Sequence, residues 1–176
     1  MYMTKGLVMV YTGNGKGKTT AALGLALRAV GHGKKVLMIQ FMKGDKNYGE
    51  IKAVERYLPG FKIIQSGLDT FVDKNNPSKE DIYLAQEGYN IALKEIKSAK
   101  YDMIILDEVN VAVEYNLLSL DQIIDLIKEK PDNLDLVLTG RYAPYKVIDI
   151  ADMVSEIKEI KHHYSKGIKA KEGVEF

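Results

Sequence analysis

The segment Val10–Leu25, VYTGNGKGKTTAALGL, constrains the fold more than any other part of the chain. An apolar run, Leu7 to Tyr11, leads into it, and an amphipathic run, Thr19 to Val30, leads out. Gly13, Gly15 and Gly17 let a chain turn sharply and bring backbone N–H groups close to an anion with no Cβ in the way. A helix opening on Lys18-Thr19 adds the positive end of its dipole. The standard phosphate loop, G-x-x-x-x-G-K-[ST], has a glycine five positions before its Gly-Lys pair. Here the pair is Gly17-Lys18, Thr12 holds that position, and the first glycine, Gly13, comes one residue late. A strand before and a helix after favour a shortened phosphate loop over a turn that merely carries solvated lysines.

Beyond the loop, apolar runs that suit strands alternate with stretches at helical spacing. Strands are expected over Leu7–Tyr11, Val36–Phe41, Phe61–Gln65, Met103–Leu106 and Leu134–Thr139, with an edge strand over Met153–Ile160. Helices are expected over Thr19–Val30, Glu50–Leu58, Ser78–Ala99, Leu120–Lys130 and Tyr145–Ala151. Gly31 and Gly33 stop the first helix. Ser78 is the N-cap of the long one, with Asp81 at the capping-box position. Ser66–Pro77 reads as a loop, and Lys161–Phe176 as a basic, glycine-punctuated tail. The alternation predicts an α/β domain spanning residues 1–176, with a mainly parallel sheet, right-handed crossovers and helices on both faces.

Composition removes several classes. A net charge of +1 gives no electrostatic reason to expect nucleic acid. The absence of cysteine excludes disulfides and thiolate metal sites. The opening MYMTKGLVMVYT reads as a strand and not a signal peptide, and no apolar run is long enough to span a membrane. The expected location is cytoplasmic.

Ligands of such sheets sit beyond the carboxyl ends of the strands. Lys18 is expected there as an accessible phosphate ligand, with Thr19 able to hold Mg²⁺. Asp107-Glu108 closes the apolar strand MIIL and could serve a metal beside a triphosphate, or form a surface acid pair. In an ATPase Glu108 could instead position a water. Arg141, after the next strand, could fork onto phosphates or remain a surface or capping arginine. Phe71 is either the long loop's hydrophobic anchor, favoured by default, or an aromatic lid. His162 and His163 are adjacent and cannot share one helix face, so they read as tail residues and not metal ligands.

Together TGNGKGKTTAALGLALRAVGHGKKV, QFMKG, Gly49-Glu50, LDEVN, LTGRYAP and the tail IKHHYSKGIKAKEGVEF resemble the P-loop class of ATP:corrinoid adenosyltransferases, in order and over nearly the whole chain. The shortened loop is itself a trait of that class. The resemblance implies a P-loop NTPase-like (RecA-like) fold. It implies transfer of the 5′-deoxyadenosyl group of ATP to the cobalt of cob(I)alamin or cob(I)yrinic acid a,c-diamide, with release of triphosphate and with ATP held in reverse. It suggests Gly13, Asn14, Gly15, Lys16, Gly17, Lys18, Thr19, Thr20 and Arg141 as ATP-binding residues. Lys18 and Glu108 take catalytic roles, Thr19, Glu108 and Asp107 hold Mg²⁺ or Mn²⁺, and Phe71 lies on the corrinoid side. A reductase or flavoprotein as electron donor and a homodimer are further expectations. Two features depart from the class. Some members carry an N-terminal extension that helps cover the active site, whereas few residues precede the first strand here. The aromatic pair often found after the third strand, in a GFTW-like segment, is reduced to Phe71 in Gly67–Phe71. A generic P-loop ATPase or kinase, and a non-catalytic ATP-binding module, remain the alternatives.

Overall fold

A computed structural model describes residues 5–176. The start of the opening segment, residues 1–4, to which part of the signal-peptide argument applied, lies outside the described residues. The elements are β1 (Val8–Thr12), α1 (Lys18–Gly31), β2 (Val36–Phe41), α2 (Gly49–Tyr57), β3 (Phe61–Ser66), α3 (Lys79–Lys97), β4 (Met103–Asp107), α4 (Val109–Glu114), α5 (Leu120–Glu129), β5 (Asp135–Thr139), α6 (Tyr145–Ile150) and β6 (Met153–Glu156), then a 3₁₀ turn at His163–Lys166. The strands form one six-stranded sheet in the order β3-β2-β4-β5-β1-β6. Every pairing is parallel, more uniformly than the "mainly parallel" expectation.

Successive side chains of a strand point to opposite faces, and the two cores follow that alternation. Val8, Val10, Leu37, Ile39, Phe41, Ile104, Leu106, Leu136 and Leu138 face α3, α4, α5 and α6. Met9, Val36, Met38, Met103, Ile105 and Val137 face α1 and α2. The contact of α1 with the sheet is made by Ala22 and Ala26, both fully buried. Small side chains there bring the helix close to the strands. Its opening turn meets the carboxyl end of β4, where the Thr19 hydroxyl donates to Asp107 at 2.9 Å.

Ser78 and Asp81 form the expected capping box, and Ser119 and Gln122 form a second one at α5. Two elements differ from the sequence reading. Helix α4 begins immediately after Glu108, where only a strand end was expected. β6 is an edge strand but pairs only as far as Glu156. Beyond it Ile157 accepts from the Gly15 N–H at 2.8 Å while donating its own N–H to Thr12 at 2.8 Å. The chain leaves the sheet there to hold the glycine loop. Among the described residues no helix is long and apolar enough to cross a membrane.

Candidate active site

The glycine loop occupies the carboxyl end of β1, and its three glycines do different work. A Cβ on Gly13 would lie 2.4 Å from the Ile157 carbonyl oxygen, and one on Gly15 would lie 2.8 Å from the Lys158 carbonyl carbon. These two are needed for chain packing. The Gly15 N–H, expected to face phosphate, is spent on Ile157. Gly17 has open space around it and φ of 120°, a conformation unfavourable for a side chain. It stands at the N-cap of α1 with no side chain capping the helix. The first N–H groups of α1 are thus left for an anion. Lys18 is only 7% exposed and donates to the Gly15 carbonyl at 2.7 Å, so it is a buried and not an accessible lysine. Burial lowers its pKa, against the opposing pull of Glu108.

Asp107 is fully buried, and its donors surround it. Its Oδ1 accepts from the Thr19 hydroxyl at 2.9 Å and from the Thr139 hydroxyl at 2.7 Å. Its Oδ2 accepts from Lys43 at 2.8 Å and from Gln40 at 3.4 Å. Asp107 therefore does not line the cavity; it fixes the hydroxyl of Thr19 from behind. Of the Asp107-Glu108 pair, Glu108 is the one that faces the cavity. It sits at φ 60°, ψ 15° and its N–H is held by the Thr139 hydroxyl at 2.9 Å. Burial, then the neighbouring Asp107, pushes its carboxyl above the ordinary range, with Lys43, Lys18 and Arg141 pulling the other way.

Lys43, in QFMKG, was given no role by the sequence reading. Met42 at φ 59° turns the chain after β2. Gly44 and Gly67 pack backbone to backbone, so that a Cβ on Gly67 would lie 2.4 Å from the Lys43 nitrogen. Burial works to lower the Lys43 pKa, but Asp107, by charge and hydrogen bond, with Glu108 and Glu50, holds it above the usual lysine value. The signal that could have found it was a lysine just past a strand that pairs with the Asp107 strand. That pairing is not written in the sequence.

These groups enclose a cavity of about 560 Å³. Asn14 to Thr20, Lys43, Glu50, Glu108 and Arg141 line it, as do His162 and residues 173–176. Gly13, Asp107 and Phe71 do not. Phe71 is 105% exposed, which overturns the anchor reading; Val72 packs on the core in its place. The loop is tethered by Lys74, which pairs with Glu114 at 2.7 Å and lies over the Tyr115 and Tyr142 rings. His162 and His163 stack at 4.6 Å and face Glu175, so the helix-face argument does not describe them. With Glu175 they offer three possible ligand atoms within 4.8 Å of one another.

The family model of "ATP:corrinoid adenosyltransferase BtuR/CobO/CobP" matches residues 4–176. The corrinoid adenosyltransferase of Escherichia coli K12 is 37% identical over 172 residues, covering 98% of this chain and 86% of that protein. Corrinoid adenosyltransferase CobA of Salmonella typhimurium LT2 is 35% identical, with coverage of 98% and 86%. The corrinoid adenosyltransferase of Pseudomonas aeruginosa PAO1 is also 35% identical, with coverage of 98% and 84%. With the shortened loop, the paired acid and the lysine-lined cavity in place, these matches establish that the chain belongs to the ATP:corrinoid adenosyltransferase family.

Proposed function

We infer that this chain transfers the 5′-deoxyadenosyl group of ATP to the cobalt of a reduced corrinoid. The observation that carries the reading is the convergence of Lys16, Lys18, Lys43, Arg141 and Glu108 on one cavity at the opening of α1, in a chain matched to this family from residue 4 to residue 176. The electron pair on cob(I) forms the Co–C5′ bond. The C5′–O bond breaks, and triphosphate leaves with that bonding pair. The corrinoid supplies the nucleophile, so no side chain has to activate a water. What the protein supplies is orientation of C5′ and stabilisation of charge on the leaving triphosphate. Lys18, Lys16, Arg141, Thr20, Asn14 and the free amides at the start of α1 serve the phosphates. Lys43 joins them, held in place by Asp107.

Thr19 and Glu108 suit a hard divalent cation, Mg²⁺ or Mn²⁺. The fit rests on two features. The Thr19 proton is committed to Asp107, so its lone pairs face outward. The Glu108 carboxyl, raised by burial, gains from a cation. Such an ion neutralises phosphate charge. Asp107 contributes through Thr19.

Phe71, projecting from the loop after β3, is assigned to the lower face of the corrin, where an apolar ring displaces the axial ligand and eases reduction to cob(I). An electron-donating reductase or flavoprotein, a homodimer and a cytoplasmic location complete the reading. The test is incubation with Mg²⁺, ATP and chemically reduced cobalamin. Triphosphate together with a light-sensitive cobalt–carbon product is expected. ADP and phosphate without that product would replace the reading with a P-loop ATPase, and no turnover would replace it with a binding module.

A further inference from the structure

The last residues of the chain return to the glycine loop. Residues 173–176 line the same cavity as Asn14 to Thr20. The return is built in: Gly15 is fastened to Ile157 at 2.8 Å, and the Gly173 N–H closes a turn on the Phe176 carbonyl at 2.9 Å. A Cβ on Gly49, at the start of α2, would lie 3.9 Å from the Phe176 carbonyl carbon. The strap therefore spans from the glycine loop to α2.

At its centre is Glu175. A single carboxylate oxygen, Oε1, faces Lys16 Nζ at 3.8 Å, His162 Nε2 at 3.9 Å and His163 Nε2 at 3.6 Å. None is at hydrogen-bond distance. Oε1 and His163 Nε2 are both buried and without a partner. The contrast with Lys43 is direct: its bond to Asp107 is 2.8 Å and fixed. Lys16 is attracted to its acid but not bonded to it, so its donors remain available to phosphate. His162 accepts from the Tyr164 N–H at Nδ1, which leaves its Nε2 as the N–H facing Glu175 from 3.9 Å.

We propose that the strap is the closing wall of the phosphate pocket, with Glu175 as a positioning residue that aims Lys16 at the triphosphate. When Lys16 turns to phosphate, Glu175 closes on His163, and two orphaned buried atoms become one hydrogen bond. An unmade bond between buried groups is costly, so completing it ties strap closure to phosphate occupancy. The inference rests on the reading of this cavity as the triphosphate site.

Inorganic tripolyphosphate with Mg²⁺ is the probe, used with the full chain and without corrinoid. Calorimetry gives its affinity, and hydrogen exchange follows the amides of residues 157–176. In the unaltered protein, tripolyphosphate should slow exchange across the strap. E175A should abolish that slowing and weaken tripolyphosphate about tenfold, the size of one lost charge-assisted contact. E175D should restore part of both, and the melting temperature without ligand should move little. Failure of the unaltered protein to bind tripolyphosphate would remove the site reading and this inference together. Binding with an unchanged strap, or equal or tighter binding by E175A, would overturn the inference alone. So would strap protection that requires a transition metal and no phosphate, which would make the two histidines and Glu175 a metal site.

Discussion

Removal of the Asp107 carboxylate is the sharpest perturbation the site offers. D107A leaves the hydroxyls of Thr19 and Thr139 without their acceptor and strands Lys43 in a pocket wall where its side chain is 18% exposed. Breaking a buried ion pair by deleting one partner costs about 3–5 kcal/mol. Lys43 can turn partly toward water in the cavity, so the lower end applies, roughly 3 kcal/mol. For a chain of this size each kcal/mol moves Tm by about 2–4 °C, which gives a drop of about 6–12 °C. Thermal unfolding by calorimetry, without ligand, reads it. The double variant K43M/D107A removes the stranded ammonium and should recover about half of the loss. Adenosyl transfer should fail in both, because Thr19 has lost the bond that orients it. A D107A loss below about 1 kcal/mol, or a double variant no better than the sum of its parts, would refute the pairing as the strut of the site.

K18A should abolish transfer while the far-ultraviolet spectrum stays native; near-normal turnover and ATP affinity would remove the phosphate-loop assignment. The raised pKa of Glu108 means that the folded state keeps a proton after the unfolded chain, near its ordinary 4.5, has lost it. The contribution of Glu108 to stability without metal is therefore fully present below about 4.5 and is lost as pH rises through the folded value, and E108Q should remove that contribution to the slope in melts taken across mildly acidic pH. G15A forces the loop off Ile157 and should cost about 2–4 kcal/mol by crowding and a lost bond, whereas G24A, in open space on the exposed face of α1, should gain about 0.5–1 kcal/mol. Equal melting temperatures for these two variants would refute the packing role of Gly15.

The sheet was legible because its strands are short apolar runs and its helices carry caps and stops that are local in sequence. α4 was not, since its six residues are too few to show a period and Val109 to Ala112 are all buried. The alternation of Met153–Ile160 suggested a longer edge strand than exists, because the bond of Ile157 to the glycine loop is a tertiary fact. Lys18, Thr19, Glu108 and Arg141 were legible as residues that line the cavity. Lys43 and Glu175 were not. Lys43 matters because β2 lies beside β4, pairing Gln40 with Asp107 in register, and strand order is not a local property. Glu175 reaches the cavity because the tail folds back over the loop.

The charges of the cavity give the proposed divalent cation a task. Its four cations, Lys16, Lys18, Lys43 and Arg141, are opposed by four acids: Glu175 faces Lys16, Asp107 and Glu50 act on Lys43, and Glu108 acts on Lys18 and Arg141. Without ligand the pocket is close to neutral, which holds Lys18 and Lys43 in its wall at tolerable cost. A triphosphate entering alone would meet Glu108 as well as the lysines. On the proposed reading, a divalent cation at Thr19 and Glu108 removes that obstacle. Nucleotide and metal binding should therefore be strongly coupled. The site holds that arrangement with backbone strain: Met42, Glu108 and Tyr142 lie just beyond the ends of β2, β4 and β5 at φ of 59°, 60° and 61°. Each turns the chain beyond the carboxyl end of a strand, and on the proposed reading turns held this way keep donors fixed before charge develops on the leaving group.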